Sequence, residues 1–450
     1  MDKIKKKYFG TDGIRGKANS SSMNAELAIN IGMATAEFFT RGKHKHYVLI
    51  GKDTRLSNYT IEPALTAGFL SMGMNVYLTG PIPTPGVSAL VSSMRCDVGL
   101  MISASHNYYT DNGIKIFGPD GRKLSDNEEL KIESIIDSKF KQLVKSENLG
   151  RAKRIDDAGG RYIEHLKSKI SPKLRLDGFK IVVDCANGAS YKVAPKVLWE
   201  LGAEVIPMNV TPDGTNVNKK SGSTFPNNLI KKVLKTKADL GIALDGDADR
   251  CILVDENGHI VDGDKILAII ATYWKKNKLL NKNTVVGTIM TNQGLENYLK
   301  QKKIKLLRTD VGDRNIVEAM KKKDFILGGE PSGHIILSNQ SATGDGILAS
   351  LEVLGIMKKQ NKKLSELSNV YQSYPQVFQS IPLTKGHHNS TKLISLLQNK
   401  LKKVITKNVV RSIIRKSGTE NKIRIMTEAK DIRLANSIAK EVKRILKEIN

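Results

Sequence analysis

At 450 residues the chain is too long for one ordinary hydrophobic core, and about three or four domains are expected. Apolar content of 40% with 26% charged residues excludes a disordered chain, and no apolar run reaches the ~18 residues of a membrane span. The net charge of +27 comes from lysines spread along the whole chain, many on helical patterns, and aromatics make up only 5%. That describes a solvated basic surface that attracts phosphorylated small molecules, with no nucleic-acid track.

In chain order, residues 24–39 carry a helical period, 47–51 (Tyr-Val-Leu-Ile-Gly) read as a strand, and 59–72 as a helix. Strand 75–79, helix 84–94, strand 97–102 and helix 127–143 follow. Strands separated by helices imply largely parallel pairing. Residues 150–160, with Asp156-Asp157 and Gly159-Gly160, mark a plausible boundary. The rhythm then repeats. Strand 179–184 ends in Cys185-Ala-Asn-Gly188, and helix 190–201, strand 203–207, helix 227–235 and strand 239–244 come next. A third round has strand 284–289, helix 293–302, strand 304–308, helix 315–323, strand 325–328 and helix 345–358. The tail differs, with helix 392–404, strands 409–414 and 423–427, and an amphipathic helix 432–449. The fold class is α/β: three related mixed α/β domains and a smaller C-terminal α+β domain. The expected boundaries are 1–155, 156–256, 257–372 and 373–450.

The three cysteines, Cys96, Cys185 and Cys251, are far apart and make neither a zinc spacing nor a disulfide framework, which fits a reducing cytoplasm. The basic start, residues 1–7, runs into Tyr8-Phe-Gly-Thr-Asp-Gly13 with no apolar h-region, so no secretory signal is expected.

Polar residues appear abruptly after the apolar strands. Beyond 97–102 stand Ser103, Ser105, His106 and Asn107, with Lys115 further on. Ligands usually sit beyond the carboxyl ends of strands in such folds, and a serine becomes a nucleophile only when a neighbour eases removal of its proton. Beyond 239–244 comes Asp245-Gly-Asp-Ala-Asp-Arg250. Three carboxylates this close repel, and a divalent cation compensates them; an oxygen-only set suits Mg²⁺. The spacing imitates a calcium loop, but Arg250 stands where Gly is needed and an apolar strand follows. Gly328-Gly-Glu-Pro-Ser-Gly-His334 places Glu330, Ser332 and His334 among glycines that let a sugar approach the backbone. Arg415-Lys-Ser-Gly-Thr-Glu420, with Arg424 downstream, offers a guanidinium fork, hydroxyls and backbone N–H groups to a phosphate. Two further loops, Phe9-Gly-Thr-Asp-Gly-Ile-Arg-Gly16 and Gly51-Lys-Asp-Thr-Arg55, also combine glycine and arginine. The first fails as a P-loop in its glycine spacing and at Ala18.

Taken together, these motifs, spread in the family's order along the whole chain, resemble the α-phosphohexomutase superfamily, and the opening Phe9–Gly16 resembles its phosphoglucosamine mutase branch. The resemblance implies four domains around a central cleft. It implies that Ser105 is a phosphoserine and that Asp245, Asp247 and Asp249 hold Mg²⁺ together with a Ser105 phosphate oxygen. Arg250 would steady the transferring phosphoryl group, and Lys115 would be a general acid/base, with Arg15 and His106 nearby. Glu330, Ser332 and His334 would read sugar hydroxyls. Arg415, Ser417, Gly418, Thr419 and Arg424 would grip the phosphate that is not reacting. The implied reaction converts glucosamine 6-phosphate to glucosamine 1-phosphate through glucosamine 1,6-bisphosphate, feeding amino-sugar and cell-wall precursor synthesis. The implied partner is a phosphosugar, not a nucleic acid or a membrane, and the oligomeric state is left open. Departures from the family's pattern fall on loop residues: Tyr108, Ser57-Asn58, Lys52, Lys416 and Asn421. Rival readings are a phosphomannomutase/phosphoglucomutase and, more remotely, a non-enzymatic polyanion-binding protein.

Overall fold

The computed structural model describes residues 6–138, 143–382, 409–416 and 422–449. The expected helix at 392–404 and the cradle residues Ser417, Gly418 and Thr419 lie outside them, as do residues 139–142 of the helix expected over 127–143. That helix spans Asp126–Asp137 and starts at a capping box in which the Ser125 side chain and Glu128 exchange hydrogen bonds.

Strands form four sheets. The first has seven strands in the order Phe9–Gly10, Gly13–Lys17, Asp111–Phe117, Val98–Ile102, Tyr47–Lys52, Asn75–Pro81, Ala152–Arg154. The central Val98–Ile102 is buried at every residue. Pairing is parallel among 47–52, 75–81, 98–102 and 152–154, and antiparallel among 9–10, 13–17, 111–117 and 98–102. The expectation of largely parallel pairing therefore holds for only half of this sheet. The reason is geometric: the segment from Ser103 to Thr110 is too short for a helical crossover, so the chain must return antiparallel.

The same device recurs. The second sheet runs Ile260–Val261, Cys251–Asp255, Leu240–Leu244, Lys180–Asp184, Glu204–Met208, and Cys251–Asp255 returns antiparallel to Leu240–Leu244. The third runs Lys305–Thr309, Thr284–Thr288, Leu327–Gly329, Ile335–Leu337, and its last pair is antiparallel. In the fourth, Lys422–Ala429 lies between Gln376–Pro382 and Val409–Lys416, all antiparallel. Three chemical motifs thus occupy the connection of an antiparallel pair, namely Ser105, the three aspartates and Glu330, while Arg415 and Arg424 stand on the paired strands of the fourth sheet.

The first three sheets share one apolar core. It joins Leu49, Met101 and Phe117 to Tyr162, Leu166 and Val197 and on to Ile266, Leu348 and Leu354. Helix Ala158–Lys169 sits within it, and the buried Tyr162 hydroxyl donates to Asp345 Oδ2 at 2.7 Å. Helix Gly263–Lys276, unforeseen in the sequence, is buried on most sides and starts at Asp262, whose side chain accepts from Lys265 N at 3.0 Å. Among the described residues no helix is long and apolar enough to cross a membrane.

Candidate active site

Ser105 sits in a tight turn with φ +51°, buried, and its Oγ donates to Asp245 Oδ2 at 2.6 Å. His106 is more distant, with Nδ1 3.4 Å from the same Oγ. Burial, helped by Arg250 and Arg15, pushes the His106 imidazole down to about 4, so it is neutral at neutral pH. The nearest partner of the serine hydroxyl is thus Asp245, not His106.

Asp245, Asp247 and Asp249 are all buried, and their ligand oxygens lie within 4.8 Å of one another. Burial, reinforced by Asp249 and Asp247, pushes the Asp245 carboxyl up to about 8. The other two are held by cations. Lys115 Nζ, fully buried, lies 2.8 Å from Asp247 Oδ2, 2.9 Å from Asp249 Oδ2 and 3.3 Å from Asp12 Oδ2. Burial pulls the Lys115 ammonium down, but Asp12, Asp247 and Asp249 outweigh it and hold it well above its ordinary value. Lys115 is thus a buried ammonium that donates to both carboxylates. Thr84 Oγ1 also donates to Asp247 Oδ2, at 2.6 Å. Arg250 Nε lies 3.9 Å from Asp249 Oδ1, and Arg15 pairs with Asp12.

At the other end, a cavity of about 350 Å³ is lined by Glu330, Ser332, Arg415 and Arg424, together with Thr288 and Gln376. Glu330 Oε1 accepts from Gly312 N at 3.1 Å. Arg415 and Arg424 face each other directly across two strands. Burial and the neighbouring Arg424 lower the Arg415 guanidinium. Like charges opposed in this way repel, and an anion between them relieves the repulsion. Glu330 bears on both Arg250 and Arg415, which joins the two ends electrostatically.

His334 departs from its expected group. It does not line the cavity with Glu330 and Ser332 but is buried between two carboxylates, with Nδ1 3.6 Å from Asp249 Oδ1 and Nε2 3.6 Å from Asp313 Oδ2. Gly333, at φ +89°, turns the chain between them, and Gly344 leaves the space: a Cβ there would stand 2.3 Å from His334 Nε2.

The sequence reading missed the groups that hold the serine loop. Arg55 is fully buried, and its guanidinium donates to the carbonyls of Ser105 (2.9 Å), Asn107 (2.9 Å), Asp111 (3.0 Å) and Tyr108. Asp53 fixes Arg55 by Nε at 2.7 Å and accepts from Ser103 Oγ at 2.7 Å. Asn218, from the second sheet's domain, donates to the Ser105 and Asn107 carbonyls at 2.8 and 2.9 Å. Asp12 was missed too. It accepts from Lys123, which also reaches Asp313. The one available signal was an arginine and two aspartates in glycine-containing loops before any strand that needs them.

Four family models match in order. Phosphoglucomutase/phosphomannomutase alpha/beta/alpha domains I, II and III match residues 6–143, 160–258 and 262–374, and the C-terminal domain matches 357–445. The phosphoglucosamine mutase of Zymomonas mobilis is 54% identical over 443 residues, 98% of each chain. That of Paramagnetospirillum magneticum is 53% identical over 429 residues, 95% of each chain. The chain belongs to the phosphoglucosamine mutase family. A phosphoglucomutase/phosphomannomutase family protein from Burkholderia thailandensis shares the fold, with a TM-score of 0.81 at 24% identity over 98% of this chain and 97% of that one. So does the N-acetylphosphoglucosamine mutase of Aspergillus fumigatus, solved with GlcNAc-6P and magnesium, with a TM-score of 0.66 at 17% identity over 99% and 96%.

The mutase family's acidic loop is suited to a metal ion in this chain on its own geometry. Asp247 Oδ1 and Asp249 Oδ1 are buried without a hydrogen-bond partner, and the donor set is oxygen alone. A stability crossover follows. Asp245→Asn keeps the shape and can still meet Ser105 Oγ and Arg250 N, but it removes one of three crowded charges. The Asp245 carboxyl is raised above its unfolded value of 3.8 to about 8, so wild-type stability falls as pH climbs through that interval. In chelator, the variant is expected to melt roughly a few degrees above wild type at pH 8, with a smaller gap at pH 5. In excess Mg²⁺ the order should reverse, because only the intact triad gains fully from the cation. Thermal melts at both pH values with and without Mg²⁺ check this; a wild type that stays the more stable in chelator contradicts it.

Proposed function

We propose that this chain interconverts glucosamine 6-phosphate and glucosamine 1-phosphate, with Ser105 carrying the phosphoryl group. The observation that carries the reading is the Ser105 hydroxyl, bonded at 2.6 Å to Asp245, one of a buried aspartate triad that a cation would neutralise. Phosphoryl transfer is catalysed mainly by positioning and charge neutralisation, and both are built in here. The phosphoserine gives its phosphoryl group to O1 of glucosamine 6-phosphate: the Ser Oγ–P bond breaks as the O1–P bond forms, and the proton that O1 gives up is matched by the one that Ser105 Oγ takes. The resulting glucosamine 1,6-bisphosphate turns in the cleft. Ser105 Oγ then takes the phosphoryl group from O6, leaving glucosamine 1-phosphate.

Asp245, Asp247 and Asp249, with a phosphoserine oxygen, would hold Mg²⁺, which supplies charge neutralisation at the transferring group. Arg250 would steady that group. Lys115 keeps Asp247 and Asp249 in place as a charged donor, and Arg15 and Asp12 orient it. Asp245 is the group positioned to exchange the Ser105 proton. Glu330 and Ser332 meet sugar hydroxyls, and Arg415 and Arg424, with Ser417, Gly418 and Thr419, hold the distal phosphate in either orientation. Domain boundaries near 155, 256 and 372 and a cytoplasmic setting belong to the same reading; the three free, buried cysteines suit a reducing compartment.

The test is turnover of glucosamine 6-phosphate with Mg²⁺ and a trace of glucosamine 1,6-bisphosphate, alongside glucose and mannose phosphates. Preference for the amino sugar is expected by at least about tenfold in kcat/KM. Activity confined to glucose or mannose phosphates would move the chain to the neighbouring branch. Silence toward all three, from phosphorylated protein, would defeat the reading.

A further inference from the structure

Among the described residues a second group of metal-ligating side chains lies apart from the aspartate loop: His44, His46 and Asp97. Its geometry starts from two neighbouring parallel strands. His46 immediately precedes Tyr47–Lys52, and Asp97 immediately precedes Val98–Ile102. Both backbones are pinned at the amino ends of these strands, because Asp97 N donates to the Tyr47 carbonyl at 2.9 Å and Asn75 N donates to the His46 carbonyl at 2.9 Å. The His-x-His spacing brings the two rings together, with centroids 4.1 Å apart. Both aim a nitrogen at one oxygen: His44 Nε2 is 2.7 Å and His46 Nδ1 is 3.2 Å from Asp97 Oδ1. The second oxygen, Oδ2, accepts from Tyr47 N at 2.8 Å. That is the outer hydrogen bond that fixes a ligating carboxylate in metal sites.

We infer that His44, His46 and Asp97 form a binding site for a divalent transition-metal ion of the zinc type. Two imidazoles and one carboxylate are the ligand chemistry of Zn²⁺, whereas Mg²⁺ favours the oxygen-only aspartate loop. The separations agree. Ligands about 2.0–2.2 Å from a tetrahedral ion stand about 3.3–3.5 Å apart. The His46–Asp97 pair already has nearly that spacing, and the His44–Asp97 pair must open by about 0.6 Å. His44 is able to supply this, since its side chain is 60% exposed while those of His46 and Asp97 are 9% and 15% exposed. The exposed side leaves the fourth position to water. Lys43 and Lys45 flank the site and weaken cation binding, so a Kd on the order of micromolar is expected, below the strength of four-ligand structural sites. Bound metal would tie the link after helix Ala25–Phe39 to the amino ends of two central strands of the first sheet. The inference stands independently of the mutase reading, since none of its residues belongs to that site.

The experiment is equilibrium dialysis of the full chain against Zn²⁺ in excess Mg²⁺, with Co²⁺ absorption as the coordination probe. Wild type and Asp247→Asn are both expected to bind one Zn²⁺ here, with the visible bands of tetrahedral, imidazole-bound Co²⁺. His44→Ala, an exposed change that should leave the fold and the turnover in Mg²⁺ intact, should weaken binding by at least about tenfold and remove the bands. His46→Ala should do the same. Zn²⁺ binding that vanishes in Asp247→Asn and survives in His44→Ala would overturn the site. So would the absence of any bound Zn²⁺ in wild type, which would leave the cluster as a plain His–Asp hydrogen-bonded corner.

Discussion

Ser105→Ala is expected to abolish mutase turnover, by about 10⁵-fold or more, the scale of loss when a covalent nucleophile is removed. The backbone gives no competing reason for a loss. Serine and alanine carry the same Cβ at φ +51°, so the strain of that left-handed turn is unchanged. What disappears is the Oγ that must carry the phosphoryl group and its 2.6 Å bond to Asp245 Oδ2. The orphaned acceptor should lower the melting temperature in chelator only slightly, because Asp245, its carboxyl raised to about 8 by burial and its two neighbours, accepts a proton readily. Intact mass should show one phosphoryl group on wild type and none on the variant. Binding of glucosamine 6-phosphate should persist within about threefold, since Glu330, Arg415 and Arg424 line a cavity to which Ser105 does not contribute. Turnover within tenfold of wild type would mean that another nucleophile carries the phosphoryl group. An equal loss of phosphosugar binding would mean that the alanine had disturbed the cleft.

What could be read from the sequence, and what could not, follows from the range of the interactions. Buried strands such as Val98–Ile102 and Leu240–Leu244 are continuous apolar runs, and the three aspartates fall within five residues of chain, so both announce themselves locally. Strand Asp111–Phe117 does not. It holds Asn112, Gly113 and Lys115, polar or small residues buried only because Gly13–Lys17 and Val98–Ile102 flank them. Helix Gly263–Lys276 hides for the opposite reason: Ile266-Leu-Ala-Ile-Ile270 is apolar all round, so it shows no face. His334 was grouped with Glu330 by proximity in the chain, but Gly333 reverses the direction between them. Lys123 meets Asp313 190 residues later, and Arg55 meets the serine loop 50 residues later. A single sequence carries no mark that pairs such groups.

Arg55→Lys should therefore reveal a role that the motifs alone did not show. One guanidinium reaches the carbonyls of Ser105, Asn107, Tyr108 and Asp111 while Asp53 holds its Nε. A lysine ammonium keeps the charge but lacks the planar fork that reaches several acceptors at once. Asn218 would still hold the Ser105 and Asn107 carbonyls from the other side, so the loop should loosen without being released. A misplacement of about 1 Å at a reacting group costs about 100-fold in rate. That corresponds to about 2.7 kcal/mol, the scale of one or two charge-assisted hydrogen bonds. Arg55→Lys is thus expected to lower kcat by about 100-fold while KM for glucosamine 6-phosphate stays within about threefold, because Arg55 does not line the sugar cavity. Asn218→Ala, which removes one side chain from the same carbonyls, should lose less, and the double variant should lose less than the product of the two, since both hold one loop. A purely structural role predicts otherwise: a lower melting temperature, fewer active molecules, and no change in kcat per phosphorylated site as counted by intact mass. Normalising turnover to that count separates the two, and an unchanged normalised kcat would remove Arg55 from the set of residues that position Ser105.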